Sequence, residues 1–334
     1  MGKAIKRRLG TAPQRVSKAK ASSKVSQTAL RRPSRPVNAK PPGALVLDPD
    51  AGTVEALQAI CRWTLQTIAA QQQAVRQRKP VGVHQMRIGL RRMRAAISLF
   101  GDLLDDDQTD HIKAELKWLA GRLAPARDLH VMQMKVAQLD GARALQKQLA
   151  ASRIAAFDQA RAAVEQPRFR ALLREIARWI DHGAWAAPPP GKRRNAKRFA
   201  KRVLAKRAAQ VIDKAARLDQ MSVEKRHRLR IAAKKLYYAT GFFETLFGDP
   251  KPARQLTAFK KKLKALLDAL GALNDIAVQG GLASKLADAP NAPTPPATRA
   301  IESLSEQNRA DSKALLKSAA KAGRKLARTP LFAD

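Results

Sequence analysis

HQMRIGLRRMRAAISLF, residues His84–Phe100, repeats both its polar and its apolar positions at helical spacing. At about 100° per residue, His84, Arg87, Arg91 and Arg94 fall on one side of a helix. Ile88, Ala95 and Leu99, with Met93 and Phe100 less squarely placed, supply apolar positions that seat the same helix on a core. The basic stripe runs about 15 Å, ten residues at roughly 1.5 Å each. The pattern returns as HRLRIAAKKLYYATGFF, residues His227–Phe243, where His227, Arg230, Lys234 and Tyr237 take the corresponding places. A helix that occurs twice with the same polar face predicts a duplicated, helical chain.

The rest of the chain follows that duplication. His84, Arg87, Ile88, Arg91 and Arg92 match His227, Arg230, Ile231, Lys234 and Lys235 at an offset of 143. Leu116, Lys117, Leu119, Leu123, Asp128 and Leu129 match Leu263, Lys264, Leu266, Leu270, Asp275 and Ile276 at an offset of 147. Each half then holds a lead helix, a His/basic helix, a Leu-rich helix and a helix opened by an aspartate. Two bundles related by a pseudo-twofold axis would bring the two basic stripes opposite each other.

Around these motifs the spacing predicts the other elements. Asp48-Pro49 suits a helix start, and Val54, Leu57, Ile60, Cys61, Leu65 and Ile68 carry the first helix to about Gln77. Lys79-Pro80 breaks it, Val81–Val83 lead into the His84 helix, and that helix ends near Gly101. Asp105–Asp107 open the next helix, where acids favour its dipole; no further carboxylates at ligand spacing support a metal cluster. Leu116, Leu119 and Leu123 predict a helix that stops before Pro125, and Ala126–Val131 begin another. Helical patterning persists through Val164, with a bend near Gly141, and Pro167–Ile180 closes the first half. Ala186–Gly191, rich in proline, is a linker.

After the linker comes an acid-free basic run that includes Arg198, Lys201 and Arg202, with Phe199, Val203, Leu204, Val211 and Ile212 on its apolar side. Gly248-Asp249-Pro250 ends the His227 helix. Leu256 to Leu270 form a helix carrying Lys260 and Lys264, Gly271 ends it, and Leu273–Ile276 open the next. A loop over Pro290–Pro296 precedes a last helix, Ile301–Leu326. No stretch reads as a strand. The organisation is a disordered basic tail over residues 1–45 and a helical domain over 46–330, in halves 48–185 and 192–330.

The chain has 334 residues, with 65 Lys and Arg against 27 Asp and Glu, a net charge of +38. That exceeds what solubility needs and points to a polyanionic partner: nucleic acid, an acidic membrane surface or inorganic polyphosphate. Residues 1–44 carry twelve Lys or Arg and no acid, yet the remainder stays strongly basic. Cys61 is the single cysteine, which excludes an internal disulfide and a cysteine-rich zinc site. No apolar run reaches the length of a membrane span, and MGKAIKRRLG has charge without a following hydrophobic stretch. A cytoplasmic protein is expected.

VHQMRIGLRRMR with LAGRLAPARDLHV, repeated as RHRLRIAAKKLYY with LDALGALNDIAV, closely resembles the CHAD domain, the conserved-histidine α-helical domain, over about residues 48–330. The resemblance implies an all-α fold of two pseudosymmetric bundles around a basic central channel that binds inorganic polyphosphate, in proteins found at polyphosphate granules. Carried onto this chain, it makes His84, Arg87, Arg91, His227, Arg230 and Lys234 the ligands. Tyr237 departs from a position usually basic, and His130 replaces an acid common after the Arg-Asp pair.

Arg94, Lys117, Lys264 and the run with Arg198, Lys201 and Arg202 complete the candidate binding set. Asp128 and Asp275 read as helix caps or partners for neighbouring arginines. Neither His84 nor His227 has a further ligand at i+3 or i+4, so metal binding is not expected, nor is any cofactor. The expected function is noncatalytic binding of polyphosphate. The alternative is a general polyanion or nucleic-acid binder, with nucleic acid engaged by the tail, although 4% aromatics leave few stacking platforms. An enzyme of phosphate-chain chemistry is disfavoured, because neither a Glu-x-Glu-x-Lys motif nor a Walker-type loop is present. Histidines facing phosphates should be raised in pKa, so binding should tighten as pH falls toward 6.

Overall fold

Gly52, in extended backbone, precedes the first helix, α1 (Thr53–Ala69), which turns Ala56, Leu57, Ile60, Cys61 and Ile68 inward. The computed structural model describes residues 42–137, 143–187, 195–287 and 295–332. Asp48-Pro49 does not start the helix. Asp48 Oδ1 accepts from the Asp50 amide at 2.9 Å, an Asx-type turn that uses the proline as a turn residue. Nor does α1 reach Gln77. The chain turns at Ala70–Gln71 and forms a short α2 (Gln72–Arg76), whose Val75 is fully buried. Three successive glutamines offer nothing apolar to hold a straight extension, and the turn brings Val75 into the core.

Helix α3 (Pro80–Leu99) begins at the proline itself, so Val81–Val83 are helical. Proline is suited to a first turn because its missing N–H would have no partner there. Gly82 lies against α2: a Cβ on it would meet Ala74 Cβ at 2.5 Å and the Ala74 carbonyl carbon at 2.8 Å. Only glycine allows that approach. Asp106 then caps α4 (Asp107–Val136), accepting from the Thr109 amide at 2.7 Å and the Thr109 hydroxyl at 2.9 Å. The acids do open this helix.

Helix α4 continues through Pro125. A mid-helix proline removes one backbone bond and crowds the carbonyl one turn earlier. That carbonyl belongs to Gly121; Arg87 Nη1 donates to the adjacent Ala120 carbonyl at 3.1 Å, while Leu119, Leu123 and Ala126, all fully buried, hold the helix to the core on both sides of the proline. Helix α5 (Arg143–Glu165) folds back on α4, and α6 (Pro167–His182) buries Phe169, Leu172, Ile176, Trp179 and Ile180. Residues 138–142, which include the expected bend, and 188–194, most of the expected linker, lie outside the described residues. So do residues 1–41 of the basic tail.

In the second half, Asn195 caps α7 (Ala196–Ala216) by accepting from the Arg198 amide at 3.0 Å. Ser222 caps α8 (Val223–Phe242). Helix α9 (Pro250–Ala287) runs unbroken through Gly271. A mid-helix glycine costs about 1 kcal/mol, which the buried Leu263, Leu266, Leu267, Leu270 and Leu273 outweigh. Helix α10 (Pro295–Ala327) packs along α9 and takes in Pro295 and Pro296, expected as loop, while residues 290–294 of that loop lie outside the described residues.

The described residues contain no strand; Gly52 and Asn195 form an isolated antiparallel bridge, with the Ala196 amide donating to the Ala51 carbonyl at 3.0 Å. The ten α-helices of the described residues lie within one unit, Asn38–Asp334. Its centre joins the halves: Phe100, at the end of α3, stacks on Phe199 of α7 at 4.7 Å and meets Phe243, at the end of α8, at 6.1 Å. Helix α3 packs against α1, α4 and α8. That places the two His/basic helices side by side.

Candidate functional site

Between α3, α4, α8 and α9 lies a cavity of about 920 Å³. Helix α3 contributes His84, Arg87, Arg91 and Arg94; α8 contributes His227, Arg230, Lys234 and Lys235. Helix α4 adds Lys113, Lys117, Arg127 and Asp128, and α9 adds Asn274 and Asp275. Both copies of the motif therefore face one space, and its lining is dominated by guanidinium, ammonium and imidazole groups against two carboxylates.

Of the residues singled out in the sequence, His84, Arg87, Arg91, Arg94, Lys117, His227, Arg230 and Lys234 line the cavity. Lys264 does not. It extends along α9 to Asp268 at 2.7 Å, and although Lys117 is its counterpart, the two helices present these positions differently. Arg198, Lys201 and Arg202 also lie outside, exposed on α7. Tyr237 is replaced by its neighbour: Tyr238 lines the cavity and its hydroxyl accepts from Arg91 Nε at 3.3 Å. Tyr237 instead lies beneath the Lys260 ammonium, 5.9 Å from the ring. Tyr238 holds the place of Ala95, which also lines the cavity, whereas Lys235 enters where its counterpart Arg92 does not.

Asp128 and Asp275 are not caps, because Pro125 and Gly271 fail to end their helices and both acids sit mid-helix on the cavity wall. Lys113, Arg127, Lys235, Tyr238 and Asn274 are the lining groups that sequence reasoning passed over as ligands. A signal existed for Lys113, one turn before Lys117 on the same face. Another existed for Arg127, which adjoins Asp128 inside the repeated motif.

Several polar groups here are left with unused hydrogen-bonding capacity. Arg87 Nε and Arg230 Nε, counterparts in the repeat, are both buried without a hydrogen-bond partner. Buried donors are normally paired, so two matched N–H groups without partners mark where an acceptor belongs. His227 Nδ1 lies 2.5 Å from Asn274 Oδ1, so the ring donates from Nδ1 and keeps Nε2 for a ligand. His84 has a different companion, since Arg127 occupies the repeat position of Asn274.

The crowding of cations shows in the titration of the lining groups. Burial first, then repulsion from Arg127, Arg91, Arg87 and Lys234, hold the His84 imidazole below its ordinary value. Burial, reinforced by Arg230 and Arg91, lowers the Lys234 ammonium to about 8. Desolvation raises the Asp128 carboxyl despite the pull of Arg87 and Arg127. A polyanion placed here would relieve the repulsion on both His84 and Lys234.

Among the described residues, no three His, Cys, Asp or Glu side chains come together in a way that could hold a metal ion. Cys61 is fully buried in α1, and burial pushes its thiol up, so it is inert. No helix among the described residues is long and apolar enough to cross a membrane.

A family model described as the CHAD domain matches residues 59–284. The crystal structure of the CHAD domain from the plant Ricinus communis is similar at 28% identity and a TM-score of 0.71, covering 86% of this chain and 96% of that one. PptA from Streptomyces chartreusis shares the fold at 18% identity and a TM-score of 0.62, covering 82% of this chain and 100% of that one. No curated protein sequence matches the chain.

Proposed function

Since the chain belongs to the CHAD domain family, we propose that its cavity binds inorganic polyphosphate without transforming it, and that this binding targets the protein to polyphosphate granules. The observation that carries the reading is the convergence of His84, Arg87 and Arg91 with His227, Arg230 and Lys234 on one cavity, with the matched Arg87 and Arg230 Nε–H groups lacking partners. Polyphosphate is a flexible chain with about one charge per phosphate and no sequence to read. Forked arginine donors, lysine point charges and histidines suit it without any base-reading or stacking surface. Nucleic acid remains the competing ligand because of the overall charge, and the two readings separate in one assay. Long-chain polyphosphate is set against duplex DNA and single-stranded RNA at physiological salt, for the full chain and for a form lacking residues 1–44. Polyphosphate should win in both forms. Equal competition by nucleic acid, or a preference lost with residues 1–44, would overturn the reading.

The cavity also sets an expected pH profile. In the free protein Lys234 titrates at about 8, and a bound polyanion moves it upward. Below 8 the lysine is charged in both states and affinity does not depend on it. Above 8, binding must take up a proton, so affinity falls by up to about tenfold per pH unit. For His84 the dependence runs from its raised value in the complex down to its depressed free value, so affinity rises as pH falls toward 6. Titration calorimetry across pH 6 to 9.5 should show both limbs, with Lys234→Arg removing the alkaline one and His84→Gln the acidic one. A flat profile would contradict both assignments.

A further inference from the structure

The basic lining of the cavity does not stop at its edge. At the Ser98 end, two cations grip one residue: Lys235 Nζ donates to Ser98 Oγ at 3.1 Å, and Arg207 Nη2 of α7 donates to the Ser98 carbonyl. Lys235 and Arg94 line the cavity, and the charges of Arg207 and Arg94 both press on Lys235. Positive charge is thus continuous from the cavity onto α7. Next to Arg207 stands Lys206, and Arg202 and Arg198 follow one and two turns earlier, all three exposed. The stripe extends about 12 Å, eight residues at roughly 1.5 Å each, and Lys201 flanks it, also exposed.

A face kept only for solubility would alternate its charges, because like charges four residues apart work against a helix. This face does not alternate. Of the acids near α7, Asp249 is engaged by Lys197 at 3.1 Å and Asp213 by Arg217 at 2.7 Å, at its two ends, and Asp102 offsets part of the charge of Arg207. The helix holds because Phe199, Leu204 and Val211 bury its other side.

Building on the polyphosphate reading of the cavity, we infer that α7 is a second contact for the same polymer, which leaves the cavity past Ser98 and runs over Arg207 onto Lys206, Arg202 and Arg198. The cavity then grips any phosphate chain, and α7 adds affinity only to chains long enough to emerge. The test compares tripolyphosphate with long-chain polyphosphate on the full protein and on a triple variant, Arg198→Gln, Arg202→Gln and Lys206→Gln. All three positions are exposed and glutamine is a good helix former.

The variant should bind tripolyphosphate within twofold of the parent and long-chain polyphosphate at least tenfold more weakly. Its plot of log affinity against log salt for the long chain should be shallower by about 2, from roughly 0.7 for each lost phosphate contact on a single strand. Unchanged long-chain binding, or an equal loss for both probes, would overturn the inference. So would a variant that loses affinity for duplex DNA alone, which would assign the stripe to nucleic acid. Alanine at Arg87 and Arg230 serves as the separate control. If that change leaves tripolyphosphate binding intact, the cavity reading fails, and the α7 inference with it.

Discussion

Replacing Arg87 and Arg230 together by alanine is expected to weaken polyphosphate binding by about two to four orders of magnitude, and either change alone by about 10- to 150-fold. The two residues hold the same place in the two copies of the motif, line one cavity, and each keeps a buried Nε–H without a partner. A phosphate oxygen between them would receive charge-assisted hydrogen bonds from groups already desolvated, so little remains to be stripped on binding. Lysine at both positions keeps the charge and loses the fork, and should fall between parent and alanine variant. Arg87 also donates to the Ala120 carbonyl, so thermal melting must accompany the calorimetry. A double alanine variant within threefold of the parent would remove these arginines from the site.

The second large effect is on stability. Phe100→Ala should cost about 3–5 kcal/mol, seen as a fall of about 10 °C in Tm for a domain of this size. Phe100 is fully buried, stacked on Phe199 and tilted against Phe243, so its removal opens a void where three helices from both halves meet. Phe243→Ala should behave alike, and the double variant should lose less than the sum, because both rings border the same space. At temperatures where the variants stay folded, polyphosphate affinity should change only a few-fold. A cost below 1 kcal/mol would mean that the neighbouring rings close the gap.

The helical class and the two basic helices are readable in the sequence because they rest on periodicity, and the buried faces keep that periodicity strictly. Breaks are harder to read. Pro125 and Gly271 carry the local signature of a helix end, yet Leu123 and Ala126 on one helix, and Leu270 and Leu273 on the other, anchor both sides in the core, and tertiary burial overrides the local cost. The reverse happens at Gln71–Gln73, where ordinary helix formers are bent so that Val75 can be buried.

The site divides along the same line. His84, Arg87, Arg91, His227, Arg230 and Lys234 are legible as repeated spacing. Lys235 and Tyr238 are not, because their counterparts give no signal: Arg92 lies over the Trp63 ring instead of lining the cavity, and Ala95 lines it without a polar group. Lys264 misleads for a related reason, since a shared register on α4 and α9 does not guarantee a shared direction. Arg127 and Asn274 become interesting only once each is seen at the same point of the repeat, one a cation near His84 and the other an acceptor for His227.

The short bridge between Gly52 and Asn195 bears on how such a chain arises. Those two residues are 143 positions apart, the same interval that separates His84 from His227 and Phe100 from Phe243. Each stands at the entry of its half, and each touches its own counterpart. A contact between equivalent entry residues is what a tandem copy would show if its halves were related by a twofold axis. A gene encoding one half, copied head to tail, would yield a chain whose second copy starts beside the first. On that account, the arginine at 127 and the asparagine at 274 would be two versions of one position that have diverged.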